Sequence, residues 1–139
     1  MKADLTGIGN IVIDHVVKVN PYPEENTKQR IDHHWFQVGG PVPTALVFAT
    51  RLGHAASFIG TWSDDVHGKT IEADLEAEGI DFSEARNREP GRTGFAHIWV
   101  DPDRGTRTIV YSRGDAKPLG PEQIRADRWP GSTLLHLDG

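Results

Sequence analysis

Residues 37–53, QVGGPVPTALVFATRLG, set a glycine pair and two prolines in front of an apolar run. Gly39 and Gly40 lack a Cβ, so the backbone there can turn sharply or come close to another group. Pro41 and Pro43 are barred from a helix interior but favoured in its first turn. The run from Val42 to Leu52 predicts a buried helix, with Gly53 just past its end, where a left-handed residue stops a helix. Such a corner sets free N–H groups and the positive end of the helix dipole beside whatever binds there.

Outward from this corner, the chain alternates. Residues 5–19, LTGIGNIVIDHVVKV, are apolar on both faces and predict one long strand of a covered, parallel-type sheet. NPYPEEN breaks it, and residues 28–38 predict a partly exposed strand pair. AASFIGTW, 55–62, predicts a short strand. Residues 63–78 predict an amphipathic helix capped by Ser63 or Asp64, with Val66, Ile71 and Leu75 inward and Gly79 as its stop. TGFAHIWV and TRTIVYS flank the turn DPDRG and predict a hairpin. LGPEQIRAD, 119–127, predicts a short helix with Pro121 in its first turn, and STLLHLDG, 132–139, a buried strand. The order is an α/β alternation carrying an inserted β element. In open α/β sheets the ligand crevice lies at the carboxyl ends of the strands. A chain that stops at such an end is expected to be the first half of something larger.

Composition narrows the function classes. The chain has 139 residues and a formal charge of -5, with Lys and Arg scattered, which argues against a nucleic-acid footprint. It has no cysteine, so disulfides, Cys-ligated zinc and thiol catalysis are excluded. The start MKADLTGIGN reads as no signal peptide, no apolar run approaches the length of a bilayer span, and a cytoplasmic protein is the default expectation. Two phosphate-like motifs fail on their residues. GIGNIV, 7–12, has Val12 where a dinucleotide fingerprint needs a third small residue. SDDVHGKT, 63–70, ends like a P-loop, but Asp64 and Asp65 would repel phosphate, and a capped helix start is expected instead. The histidines show no ligand spacing, so no protein-held metal is expected.

Five segments in order resemble the ribokinase (PfkB-type) family of carbohydrate kinases: IGNIVIDHVV, VGGPVPTALVFATRLG, FIGTWSDDVHGKTIEADLEAEGID, RTGFAHIWVDPDRGTRTIVYSRGDAKPLGPEQI and STLLHLDG. The resemblance implies a three-layer α/β/α sandwich with a small β lid, truncated after its N-terminal half. Residues 1–139 would be that half, with lid strands near 15–38 and 93–111. It implies substrate contacts from Asp14, from the backbone of Gly39 and Gly40, and from Thr44, which stands where the family usually has asparagine. Val12 likewise replaces an asparagine of some ribose-specific members, which argues against ribose itself. Arg113 aligns with a residue that meets a negative group in some acidic-sugar kinases, and its fork suits a carboxylate. The family's catalytic base, anion hole, ATP and Mg²⁺ sites lie in the C-terminal half, so these residues alone are expected to be inactive. A homodimer through the lid is implied, and neither nucleic acid nor membrane is an expected partner. A non-catalytic sugar-binding module and a nucleoside kinase of the same fold are the alternative expectations.

Overall fold

A computed structural model describes residues 3–85, 90–122, 124 and 131–138. Two sheets organise them. The first is parallel, in the order β4 (Ala56–Ile59), β1 (Leu5–Ile8), β7 (Leu134–Leu137), with Leu5 level with Ala56 and Leu134. The second is mixed, in the order β3 (His34–Gly39), β2 (Val12–Lys18), β5 (Phe95–Asp101), β6 (Thr106–Ser112). In it β2 runs antiparallel to β3 and parallel to β5, while β5 and β6 form the predicted hairpin. The hairpin turn is held by Asp101, whose Oδ1 accepts from the N–H groups of Asp103 at 3.0 Å and Arg104 at 3.1 Å.

The helix α1 (Pro41–Arg51) packs its Val42 and Leu46 under β1 and β4, and α2 (Val66–Ala77) contributes Ile71 and Leu75. These join Ile11, Ile13, Ala56, Phe58, Trp62 and Ile80 in one buried cluster. Each large side chain removed from water contributes roughly 1.5–3 kcal/mol. Among the buried polar groups, Thr6 Oγ1 bonds Ser57 Oγ at 2.8 Å and also meets Ser132, so hydroxyls of β1, β4 and the segment leading into β7 satisfy one another.

Several expectations are corrected. Residues 5–19 are two strands in two sheets, because Gly9 and Asn10 turn the chain out of the parallel sheet. At that turn the backbone N–H of Asn10 bonds the Asp138 carboxylate instead of a neighbouring strand. Residues 28–38 hold one strand and not a pair. The α2 cap is Asp65, not Ser63 or Asp64, and Val66 is exposed at the helix start. Among the described residues strand β7 is not buried but lies at the sheet edge, with Leu134 62% and Leu137 60% exposed. Of the helix predicted over 119–127, Pro121 and Glu122 form a turn and most of the remainder lies outside the described residues.

Asp65 couples α2 to the hairpin sheet. Its Oδ1 accepts from the Gly68 N–H at 2.8 Å and the Thr93 hydroxyl at 2.5 Å, and its Oδ2 accepts from the Thr93 N–H at 2.9 Å. Burial pushes the Asp65 carboxyl up, but the Thr93 and Gly68 donors, with His67 nearby, hold it below the usual carboxylate value. A carboxyl lowered in the folded state stabilises above its unfolded pKa, about 3.9. That contribution is lost as pH falls through the lower folded value. Asp65→Ala is therefore expected to destabilise by about 1–2 kcal/mol at neutral pH. In urea melts this loss should shrink as pH falls below about 4.

Candidate functional site

The glycine corner is built around two carboxylates. A Cβ at Gly39 would fall onto the Asp14 carboxyl, and one at Gly40 onto the carbonyl of Asn10. Gly40 also has φ 116°, the left-handed side that side chains rarely adopt. The closeness read from the glycine pair is thus closeness to the protein's own groups: Gly39 leaves room for Asp14, and Gly40 for the β1–β2 turn.

The second carboxylate is Asp138, at the carboxyl end of β7. Its Oδ1 accepts from the Asn10 N–H at 2.8 Å, and its Oδ2 from the Val42 N–H at 3.2 Å. Gly40 has no side chain to cap α1, so Asp138 performs that task from another strand. This corrects the expectation of free N–H groups at the helix start. Pro41 and Pro43 have none, and that of Val42 is taken. Asp138 went unnoticed because STLLHLDG reads as an apolar strand; a carboxylate at a strand's carboxyl end was the available signal.

Asp14 is different. It is half-buried on β2, burial raises its carboxyl pKa, and no described residue donates a hydrogen bond to it. Directly across the sheet stand Gln37 on β3 and Ala96 on β5, with Tyr111 of β6 beyond Ala96. Thr44 lies one turn along α1, its hydroxyl donating to the Gly40 carbonyl at 2.8 Å. It lines a groove between α1 and α2 together with Gln37, Arg51 and Glu78. Arg113 follows β6, exposed and without an ion pair among the described residues. Asp14, Gly39 and Gly40 therefore come together, while Thr44 and Arg113 stand to either side.

The other face of this sheet carries a cluster that spacing did not reveal, since its members lie far apart in the chain. His15 Nδ1 is 3.3 Å from His97 Nδ1, His15 Nε2 is 3.1 Å from His34 Nδ1, and Phe36 stacks on His15 at 4.4 Å. Burial, then His97 and His34, lower the His15 pKa. His15 turns a different nitrogen to each neighbour, so the three cannot enclose one ion. No group of three or more His, Asp or Glu among the described residues could hold a metal. His15 and His97 border a cavity of about 670 Å³ floored by Val17, Val19 and Trp99. No helix among the described residues is long and apolar enough to cross a membrane.

Comparison with known proteins bears on this geometry. The pfkB family carbohydrate kinase pattern matches residues 3–139. Ketohexokinase of Mus musculus is 28% identical over 132 residues, 95% of this chain and 44% of that protein. The 5-dehydro-2-deoxygluconokinase of Halalkalibacterium halodurans is 30% identical over 140 residues, 98% of this chain and 40% of that protein. The chain thus spans less than half the length of these relatives. The crystal structure of adenosine kinase from Sinorhizobium meliloti superimposes with a TM-score of 0.81 at 22% identity, over 99% of this chain and 47% of that one. The arrangement is the ribokinase-like α/β fold with its small second sheet. With a family match that runs from residue 3 to residue 139, the chain belongs to the pfkB family of carbohydrate kinases.

Proposed function

We propose that the chain is the sugar-binding part of a cytoplasmic, ATP- and Mg²⁺-dependent kinase that phosphorylates a hydroxyl of a sugar or acidic sugar. One observation carries this: Asp14 keeps a half-buried carboxylate, without a donor among the described residues, in space that Gly39 leaves open. A carboxylate can accept from two sugar hydroxyls at once, and such charge-assisted bonds are the stronger kind. The sheet β3-β2-β5-β6 acts as the lid over the sugar and excludes water from the reacting hydroxyl. Thr44 offers its remaining lone pairs to the ligand, and Arg113 answers the carboxylate of a sugar acid.

The described residues supply no cradle for the nucleotide. The first turn of α1 has no free N–H, and the start of α2 is occupied by Asp65. ATP, Mg²⁺ and the base that takes the hydroxyl proton are accordingly assigned to residues outside those described. On the face away from Asp14 the lid also exposes Phe36 and Val110, apolar surface suited to pairing with a second copy.

Sugar and sugar-acid binding by the full-length protein, followed by ADP release with ATP and Mg²⁺, tests the reading. Asp14→Asn should weaken sugar binding about 10–100-fold, the range of a hydrogen bond to a charged group. It should melt no lower than the native protein, because Asp14 raised in pKa destabilises the empty site at neutral pH. Affinity in the native protein should fall as pH drops through the raised Asp14 value, where the acceptor is protonated. Arg113→Ala should lose the preference for a sugar acid over its neutral parent and leave the parent's affinity unchanged. Native affinity retained in Asp14→Asn would overturn the assignment.

A further inference from the structure

Gln37 is the residue directly opposite Asp14 in the β2–β3 pairing. Opposed residues of an antiparallel pair share a face, with Cβ atoms about 4.5–5.5 Å apart. Trp35 lies two residues along β3 and so on that same face. Its indole Nε1–H donates to Gln37 Oε1 at 2.8 Å. An indole nitrogen can only donate, so this bond determines which end of the Gln37 amide is which. The carbonyl end is engaged by Trp35, and the –NH₂ end is left without an acceptor among the described residues. Gln37 and Trp35 are both exposed, Trp35 by 41%, so nothing described covers the pair.

We infer that Gln37, oriented by Trp35, is a specificity-determining residue of the Asp14 site. Its Nε2 donates to a ligand oxygen next to the hydroxyl that Asp14 accepts. The inference rests on Asp14 being the sugar acceptor. A lone carboxylate accepts from any hydroxyl within reach and selects little. A fixed donor beside it requires an oxygen at the neighbouring position, and so separates a sugar from the analogue that lacks that oxygen. Trp35 is a positioning residue: without its indole N–H, the Gln37 amide is free to rotate and offers either end.

The packing of Val16 opposes a purely structural role for the pair. Val16, which they flank, is also covered from β5, where its opposite residue is Ile98. An apolar side chain at 37 would cover it as well as an amide does, whereas only an amide held at its oxygen presents a directed donor.

The test is calorimetric binding by the full-length protein of three pairs: D-ribose with 2-deoxy-D-ribose, D-glucose with 2-deoxy-D-glucose, and D-fructose with 1-deoxy-D-fructose. The native protein should prefer the oxygenated member of at least one pair. Gln37→Leu should weaken that member by about three- to tenfold, the value of one neutral hydrogen bond, and leave its deoxy partner unchanged. Gln37→Glu, which sets a second carboxylate beside Asp14, should weaken both members. Trp35→Phe should reduce the preference while the melting temperature of the Gln37 variants stays at the native value. Unchanged preferences in Gln37→Leu, with binding still lost in Asp14→Asn, would overturn this inference alone. No native preference in any pair would do the same. Sugar binding indifferent to Asp14→Asn, or absent from the native protein, would overturn the Asp14 assignment and this inference with it.

Discussion

The corner depends on the Asp138 carboxylate. Three things meet there: the turn that takes the chain out of the parallel sheet, the start of α1, and the end of β7. Asp138 binds the first two at once, through the N–H groups of Asn10 and Val42, from a position 128 residues beyond Asn10. The helix cannot cap itself, because its first positions are glycine and proline. The turn cannot use strand pairing, because β1 and β2 belong to different sheets. One acceptor with two oxygens resolves both shortages, and the place of β2, hence of Asp14, follows from it. A Cβ at Gly9 would collide with the same carboxyl, so the sequence leaves room for it there as well.

Much of this was legible in the sequence, and the rest was not for identifiable reasons. Helix α1 follows from Pro41, the apolar run and Gly53; the hairpin follows from two β-rich runs around DPDRG. Asp14 and the glycine pair were found through resemblance, and the structure sets Gly39 against the Asp14 carboxyl. What failed involved partners distant in the chain. Residues 5–19 look continuous because Val and Ile on both sides of Gly9 and Asn10 favour extension, and Asp138 shows why the chain turns there. The α2 cap fell to Asp65 over its neighbours because Thr93, 28 residues on, supplies two donors. The histidine cluster was invisible to spacing, since register brings together residues 15, 34 and 97. Free N–H groups at the α1 start were expected from the helix dipole alone, which says nothing about whether another strand has already claimed them.

The two carboxylates of the corner have opposite circumstances, and the contrast bears on what each is for. Asp138 accepts a backbone N–H at each oxygen and holds the fold. Asp14 is half-buried with no described donor, an arrangement that raises its pKa and works against stability. Folding alone gives no reason to keep a carboxylate there. An asparagine, a serine or an apolar residue would fit the strand with less penalty, and Gly39 need not then have surrendered its side chain. An unpaired acceptor beside an opened space is favourable only when something brings donors to it, and hydroxyls do so without adding charge. Gln37, whose amide is turned by Trp35, extends the same logic by one group. On the proposed reading it would place a donor where a polyol has an acceptor next to a donor, which is how neighbouring oxygens on a sugar are arranged.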